Sequence, residues 1–200
     1  MLFRSTTLRG LPDVELFALS EVDAGWFEGI ENAADASGRP YGLVGGTTGA
    51  PIRLAILFAE DRFEHLGTQE MTGVPATSGA RAPLVVTLRD LQTRTTFEFA
   101  SVHLIRGPRN DQHEANRRRS EEADRIRQAV GRSTLPIILA GDFNFDCPLG
   151  SAPSGCAPAF DVLTAGGQIV WHPHVPHADT ICSDRYDNML DLFFSARLPA

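Results

Sequence analysis

The chain has 200 residues, of which 42% are hydrophobic and 22% charged, and its formal net charge at pH 7 is −7. This length suits a single domain with a sizeable core, which needs no disulfide framework to fold. The apolar runs are only strand-sized, which excludes a transmembrane helix of about 20 residues. The acidic balance argues against nonspecific coating of nucleic acid, because such binding depends on Lys and Arg neutralising phosphates.

Cysteine usage and the N-terminus leave the compartment open. Cys147, Cys156 and Cys182 lack the CxxC spacing of a metal site, so they are either structural thiols or one disulfide plus one free thiol. The first ten residues contain no apolar signal-peptide core. Cytoplasm is therefore the default expectation, and secretion stays open if the natural N-terminus lies upstream.

The apolar pattern predicts strands in the first part of the chain. Val14–Ser20 is almost wholly apolar and predicts a buried strand, with Glu21 at its C-terminal end. Tyr41–Gly49 is glycine-rich, but neither a Lys nor a helix follows, so we predict a turn or hairpin loop rather than a phosphate-binding loop. Ile52–Phe58 alternates between apolar and other residues, which predicts a half-buried strand.

A β-hairpin and a long helix are predicted next. Leu84–Leu88 and Thr96–Leu104 predict two strands joined by a polar connector, with His103 near the end of the second. Gln112–Val130 has helical periodicity, and Asp111 is in position to cap the helix.

Two strands complete the predicted order. Leu135–Ala140 leads into Gly141-Asp142-Phe143-Asn144, and Met189–Phe194 contains Asp191. The residues from Cys147 to Pro158, rich in Pro, Gly and Ser, predict a loop.

Three polar residues, Glu21, His103 and Asp142, come at or just past the end of an apolar strand. Strand ends in layered folds of helices and sheets deliver side chains to a common rim. Asp142 and Asn144 are two residues apart, so on an extended chain their side chains point the same way. The carboxylate can take a proton from water or bind a cation, and the carboxamide can donate to an oxyanion. A structural Asp/Asn turn is the alternative.

Four short motifs occur in a fixed order along the chain: Ser20-Glu21-Val22, Val102-His103-Leu104, Ile138–Asn144 and Leu190-Asp191-Leu192-Phe193. Their order and spacing resemble those of the endonuclease/exonuclease/phosphatase superfamily of metal-dependent phosphoesterases. The resemblance spans Pro12 to Ala196. It implies an α+β fold, a four-layer α-β-β-α sandwich like that of deoxyribonucleases, with residues 1–200 forming one such domain.

The resemblance also implies a role for each matched polar residue. Glu21 would bind a divalent metal ion, Mg²⁺ or Mn²⁺, through oxygen. His103 would contact the scissile phosphate or assist the leaving group, and Asp142 would orient or deprotonate the attacking water. Asn144 would hydrogen-bond the phosphate, and Asp191 would support this region. The implied activity is hydrolysis of a phosphoester, in DNA or in a small molecule, by water attacking phosphorus.

Two parts of the family's pattern have no counterpart in the sequence. No Asn lies upstream of Glu21, and no Asp-His pair follows Asp191. We therefore expect a domain that is truncated at both ends and has sheet edges missing. The alternative to a hydrolase is an inactive homologue that binds a phosphate ligand or a protein partner.

Histidines and arginines elsewhere offer two further candidates. His172 and His174 would point the same way on an extended chain and could pair on Zn²⁺, but two prolines break their segment, which disfavours a metal site. An arginine-rich stretch either forms a solvated helix face or guides phosphate to the site. Its members are Arg106, Arg109, Arg117, Arg118 and Arg119. The sequence specifies neither the substrate nor the oligomeric state.

Overall fold

The computed structural model describes residues 14–36, 38–49, 51–108, 110–148, 155–173 and 188–198. Within these ranges nine strands form two sheets, and three α-helices accompany them. The strands are β1 (Leu16–Asp23), β2 (Tyr41–Gly45), β3 (Ile52–Ala59), β4 (Phe63–Glu70), β5 (Leu84–Asp90), β6 (Thr96–His103), β7 (Ile137–Pro148), β8 (Val170–Trp171) and β9 (Asn188–Ala196). The helices are α1 (Phe27–Asp35), α2 (Gln112–Arg132) and α3 (Pro158–Thr164).

Strand pairing places the end of β6 beside the middle of β7. The first sheet has the order β1-β3-β2, and the second has the order β4-β5-β6-β7-β9-β8. All neighbouring strands are antiparallel except β6 and β7, which are parallel. A parallel pair needs a crossover connection, and here that crossover contains α2. The two strands therefore run in the same direction, and His103 at the end of β6 pairs with Asp142 within β7.

Three apolar layers build the predicted α-β-β-α sandwich. The middle layer lies between the two sheets and includes Leu54, Leu84 and Phe99. Outside the first sheet, α1 packs through Ile30. Outside the second sheet, α2 and α3 pack through residues such as Ile126. The sequence-based prediction of this fold class is confirmed.

Strand β3 is buried on both faces, so the prediction of a half-buried strand is wrong from Leu54 onward. Leu54 and Ile56 face the second sheet, whereas Ala55 and Leu57 face α1. These four residues are at most 1% exposed. The apolar alternation was visible in the sequence, but the residues between the large side chains proved to face a second apolar layer.

Strand β1 differs from its prediction in both burial and length. Most of its residues are half-buried rather than buried, since within the described ranges it pairs with β3 alone. It also continues past Glu21, to Asp23. The pairing register shifts between Leu19 and Val22, and Glu21 itself has φ 58°. Glu21 therefore lies in a β-bulge, which redirects a side chain out of the regular alternation.

The glycine-rich segment begins as strand β2, and the predicted turn starts only after Gly45. A Cβ atom on Gly42 would lie 2.4 Å from the ring of Phe58, and one on Gly45 would lie 2.1 Å from the ring of Phe27. These glycines let aromatic rings pack against the backbone. Their role here is packing, not phosphate binding.

Helix α2 is confirmed, with its cap in place. Oδ1 of Asp111 accepts a hydrogen bond from the backbone N–H of Glu114 at 3.0 Å. The helix extends two residues beyond the predicted end at Val130. No helix in the described ranges is both long and apolar enough to cross a membrane.

The cysteine alternatives are resolved for two of the three thiols. Cys147, near the end of β7, forms a disulfide with Cys156. Cys182 lies outside the described residues, as does His174. The disulfide ties β7 to the residues that lead into α3.

Candidate active site

Three of the predicted site residues lie in one row across the second sheet. His103 is the last residue of β6 and pairs in register with Asp142 on β7. Asp142 in turn pairs with Asp191 on β9. The row forms because β6 and β7 are parallel, which places the end of β6 beside the middle of β7. The structure thus brings together three groups that are 39 and 49 residues apart along the chain.

Strand β7 does not end where the sequence predicted. It continues through the Gly-Asp-Phe-Asn motif to Pro148, paired with β9 on either side of a register shift. Gly141 has φ 135°, and a Cβ atom there would lie 2.2 Å from the carbonyl oxygen of Val102. Only glycine fits this position, because it allows both this φ and the close approach of β6. The motif is a distorted strand rather than a turn.

His103 and Asp142 form a partly buried pair. Nε2 of His103 lies 3.8 Å from Oδ2 of Asp142, and their side chains are 10% and 22% exposed. Burial lowers the pKa of His103, and the charge of Arg81 lowers it further, whereas the charge of Asp142 acts in the opposite direction. Burial raises the pKa of Asp142, although His103 and the backbone N–H of Asn144 oppose that shift. The imidazole is therefore neutral at neutral pH.

Arg81 connects the two sheets at this site, and the sequence did not single it out. Nη1 of Arg81 lies 3.3 Å from Nδ1 of His103, and Nη2 lies 3.6 Å from Oε1 of Glu21. Its Nε donates to the carbonyl of Ile52 at 3.1 Å. A guanidinium only donates, so Nδ1 of His103 must be the acceptor. The imidazole proton therefore sits on Nε2, the nitrogen that faces Asp142.

Asn144 is buried, and both its side-chain amide and its backbone N–H form hydrogen bonds within the protein. Its side chain donates from Nδ2 to the carbonyl of Leu104 at 2.8 Å and accepts from Nη1 of Arg106 at 3.0 Å. Its backbone N–H donates to Oδ1 of Asp142 at 3.0 Å. Asn144 has φ 52°, so the chain is not extended here. The expectation that Asp142 and Asn144 point the same way assumed an extended strand, and that condition does not hold at Asn144.

The arginine-rich stretch divides into surface and buried residues. Arg117 and Arg118 pair with Glu114 on the helix surface, as a solvated face predicts. Arg106 is about half-exposed beside Asn144. Arg119, in contrast, is only 2% exposed, so the solvated-face interpretation is wrong for this residue. Arg109 lies outside the described residues.

His172 has local partners in the second sheet. Its Nε2 lies 2.6 Å from Oγ of Ser195, and its ring packs against Phe193. In the described part of the chain, no group of three or more His, Cys, Asp or Glu side chains is arranged to hold a metal ion.

Solved structures with the same fold cover almost the whole chain. The mannosyl-6-phosphatase of Bacteroides thetaiotaomicron VPI-5482 matches with a TM-score of 0.70 and 15% identity, over 96% of this chain and 76% of that one. The human Nocturnin catalytic domain with bound sulfate matches at 0.66 and 16%, over 96% and 75%. D. rerio TDP2 with a single-strand DNA product matches at 0.65 and 14%, over 98% and 77%.

The family is shown by sequence as well as by fold. The model of the endonuclease/exonuclease/phosphatase family matches residues 4–193, so the chain belongs to that family. No curated protein matches it by sequence. The matched structures include phosphatases, and their low identity to this chain establishes the fold alone.

Enzymes of this family generally use divalent metal ions, and Glu21 has the donor chemistry for one. Its side chain is 64% exposed, so a hard cation bound to the carboxylate would have room for water ligands. Mg²⁺ is commonly held by one or two carboxylates together with waters and substrate phosphates. The guanidinium of Arg81 is the present counter-ion of this carboxylate, and a metal ion would compete with it. The donor chemistry and the exposure of Glu21 therefore fit such an ion.

Proposed function

We propose that this chain is a metal-dependent hydrolase of phosphoester bonds, in which water attacks phosphorus. The observation that carries the proposal is the His103–Asp142 pair, held where β6 ends beside β7, with Arg81 against the imidazole. A neutral imidazole, a carboxylate and a guanidinium supply a donor, a base and a positive charge in one place. Each of the three can accelerate phosphoester hydrolysis.

Nε2 of His103 and Oδ2 of Asp142 do not hydrogen-bond each other, so each can take a partner from the substrate or from water. Their 3.8 Å separation exceeds a direct hydrogen bond. In this arrangement Nε2–H of His103 donates to a phosphate oxygen, and the carboxylate of Asp142 accepts the proton of the attacking water. Burial raises the pKa of Asp142, which makes its carboxylate a stronger base than an ordinary aspartate. Asp191, its register neighbour, would support this position.

Positive charge reaches the site from two arginines and from the proposed metal ion. Arg81 contacts His103, and Arg106 contacts Asn144, so each guanidinium can bind phosphate oxygens at the rim. Glu21 would hold Mg²⁺ or Mn²⁺. When bound, the ion would supply a Lewis acid that offsets the negative charge on the phosphate. Asn144 would then act mainly by holding Arg106 and Asp142 in place.

A phosphate-binding homologue without turnover is the second candidate. One observation favours it: Asn144 uses both ends of its amide inside the protein, and Glu21 already has a guanidinium partner. Such a site would bind a phosphate group through Arg81 and Arg106 without activating water. DNA and small phosphoesters remain the two substrate classes to distinguish.

Hydrolysis assays separate these candidates. Bis-p-nitrophenyl phosphate and plasmid DNA are each incubated with the protein in Mg²⁺, in Mn²⁺ and in EDTA. We expect metal-dependent turnover that falls at least about 100-fold in Asp142→Ala, because a general base typically contributes that much. Asp161→Ala, which changes an exposed carboxylate on α3, is the matched control. A folded wild-type protein that binds inorganic phosphate but turns over neither substrate would support the binding-only candidate.

A further inference from the structure

Helix α2 buries two charged side chains one turn apart. Arg119 is 2% exposed and Glu122 is 3% exposed, on the face that also contains Ala123 and Ile126. Burying a charge is costly unless hydrogen bonds compensate for the lost water. An apolar residue at either position would pack against the second sheet without that cost. The hydrogen bonds of the two side chains indicate the role of these buried charges.

Glu122 joins two segments that border the candidate active site. Its Oε1 accepts from the backbone N–H of Ala76 at 2.9 Å, and its Oε2 accepts from that of Ile105 at 2.8 Å. Ala76 belongs to residues 71–83, the segment that brings Arg81 to the site. Ile105 follows β6 and immediately precedes Arg106. The buried carboxylate of Glu122 thus links the segment that carries Arg81 to the segment that carries Arg106.

Arg119 holds the third segment of the site. Its Nη1 donates to the carbonyl of Asn144 at 2.6 Å and lies 3.3 Å from Oδ2 of Asp146. Its Nη2 donates to Oδ1 of Asn116 at 2.6 Å, which orients the guanidinium. Asn144 and Asp146 have φ 52° and 47°, a region that non-glycine residues adopt only where their surroundings enforce it. Arg119 supplies part of that enforcement from within the core.

Arg106 connects the segments held by Glu122 and Arg119. Its Nη1 donates to Oδ1 of Asn144 at 3.0 Å and lies 3.4 Å from Oδ1 of Asp146. The Arg106 guanidinium is therefore placed by Glu122 through its own backbone and by Arg119 through Asn144. Of Glu122 and Arg119, only Glu122 holds the segment that carries Arg81, through its hydrogen bond from Ala76.

We propose that Arg119 and Glu122 are positioning residues, which set the placement of Arg81, Arg106 and Asn144 around the His103–Asp142 pair and thereby the affinity of the site for phosphate. This inference rests on the proposed function, because it assigns these buried charges to the same phosphate site. An ordinary core residue differs from Arg119 and Glu122 in one testable way. Its replacement lowers the stability of the protein, but the molecules that remain folded bind ligand as before.

The test uses conservative variants of both residues with matched controls on the same helix. Glu122→Gln keeps the shape but replaces one acceptor oxygen with a donor, and Arg119→Lys keeps the charge but loses the planar fork. Glu121→Gln and Arg118→Lys make the same changes at side chains that are 40% and 33% exposed. Each protein is measured for unfolding in urea, for affinity toward inorganic phosphate, and for kcat and KM with bis-p-nitrophenyl phosphate. Amide NMR shifts of Ala76 and Ile105 report the local geometry.

We expect both test variants to remain folded and to lose about tenfold or more in phosphate affinity, because hydrogen bonds to charged groups are stronger than those between neutral groups. The phosphate affinity of the two control variants should stay within about twofold of the wild type. KM should rise more than kcat falls, because the change displaces phosphate-binding groups. If Glu122→Gln does not fold, Glu122→Asp, which retains the charge on a shorter side chain, replaces it. Its Ala76 and Ile105 amides should shift together with the loss of phosphate affinity.

Two failures are distinguishable. If the wild-type protein binds and hydrolyses its substrates while the test variants lose only stability, with phosphate affinity and KM unchanged, Arg119 and Glu122 are ordinary structural residues and the inference is wrong. If the folded wild-type protein neither binds phosphate nor hydrolyses either substrate, the proposed function fails, and the inference fails with it.

Discussion

His103 and Asp142 face each other from adjacent parallel strands, with Nε2 of the imidazole 3.8 Å from Oδ2 of the carboxylate. Arg81 donates to the opposite ring nitrogen, Nδ1, which selects the tautomer with its proton on Nε2. This relationship depends on the crossover through α2, which makes β6 and β7 parallel and places the end of β6 beside Asp142. It gives the site a neutral hydrogen-bond donor beside a base.

The first prediction concerns the influence of Arg81 on the imidazole. Removing the guanidinium charge in Arg81→Gln should raise the pKa of His103, because that charge is one of the causes that lower it. The measurement is an NMR titration of the His103 ring. Arg89→Gln is the matched control, since Arg89 pairs with Glu64 on the surface. An unchanged or lower pKa in Arg81→Gln would mean that the two side chains do not interact in solution.

The second prediction concerns metal binding at Glu21. In Arg81→Gln the carboxylate of Glu21 loses its counter-ion, so Mn²⁺ should bind up to about fivefold more tightly, the range expected of an exposed ion pair. Inorganic phosphate should bind more weakly to the same variant, because a cationic donor is gone. Calorimetric titration with each ligand measures both effects. Equal shifts in the same direction would contradict the assignment of Glu21 as the metal ligand.

The third prediction is a dependence of stability on pH. The pKa of His103 lies below its ordinary value of 6.5 in the folded protein. As the pH falls through 6.5, His103 becomes protonated in the unfolded chain but stays neutral in the folded protein. The free energy of unfolding therefore falls, by at most about 1.4 kcal/mol per pH unit. The loss continues until the pH reaches the lower pKa of the folded state. Above pH 6.5 this contribution is constant.

Urea unfolding of the wild type and of His103→Gln between pH 7.5 and 5 isolates this contribution. The stability difference, wild type minus variant, should decrease as the pH falls. Burial raises the pKa values of Asp142 and Glu122, and those groups act in the opposite direction in both proteins. A difference that is independent of pH would show that His103 titrates normally in the folded protein.

The fourth prediction concerns the disulfide between Cys147 and Cys156. It closes a short loop, because the two residues are nine apart in sequence. Closing a loop of this length in the unfolded chain stabilises the folded protein by about 2.5 kcal/mol. Reduction, or the double variant Cys147→Ser and Cys156→Ser, should lower the free energy of unfolding by about that amount. Identical urea curves under oxidising and reducing conditions would contradict this prediction.

Local patterns in the sequence were enough to predict the parts of the fold that have strong periodicity. The long helix α2, its Asp111 cap and the antiparallel pair β5 and β6 follow from periodicity and capping chemistry. The Gly-Asp-Phe-Asn motif and His103, which the sequence singled out, lie side by side on β7 and β6. Short elements such as β4, α1 and α3 were not predicted, because each is too brief or too mixed in polarity to show a clear period.

The residues that the sequence missed act through tertiary contacts. Arg81 comes from an irregular segment without periodicity, and nothing local indicates that it reaches Glu21 across the sandwich. Arg119 stands in a run of three arginines, which is typical of a solvated face, yet its guanidinium lies in the core beside Asn144. Glu122 is one carboxylate among several on the same helix. Only the packing of α2 against the sheet distinguishes these residues from their neighbours.

The most direct test of the account is hydrolysis of bis-p-nitrophenyl phosphate in ¹⁸O-labelled water with Mn²⁺, followed by mass spectrometry of both products. Water attack on phosphorus predicts the label in the phosphate product and not in nitrophenol. The rate should be greatly reduced in His103→Gln and retained in His65→Gln, the matched control, because His65 is an exposed residue of β4. Label in nitrophenol, or no turnover by the folded, metal-supplied wild-type protein, would contradict a phosphoester hydrolase that acts through His103 and Asp142.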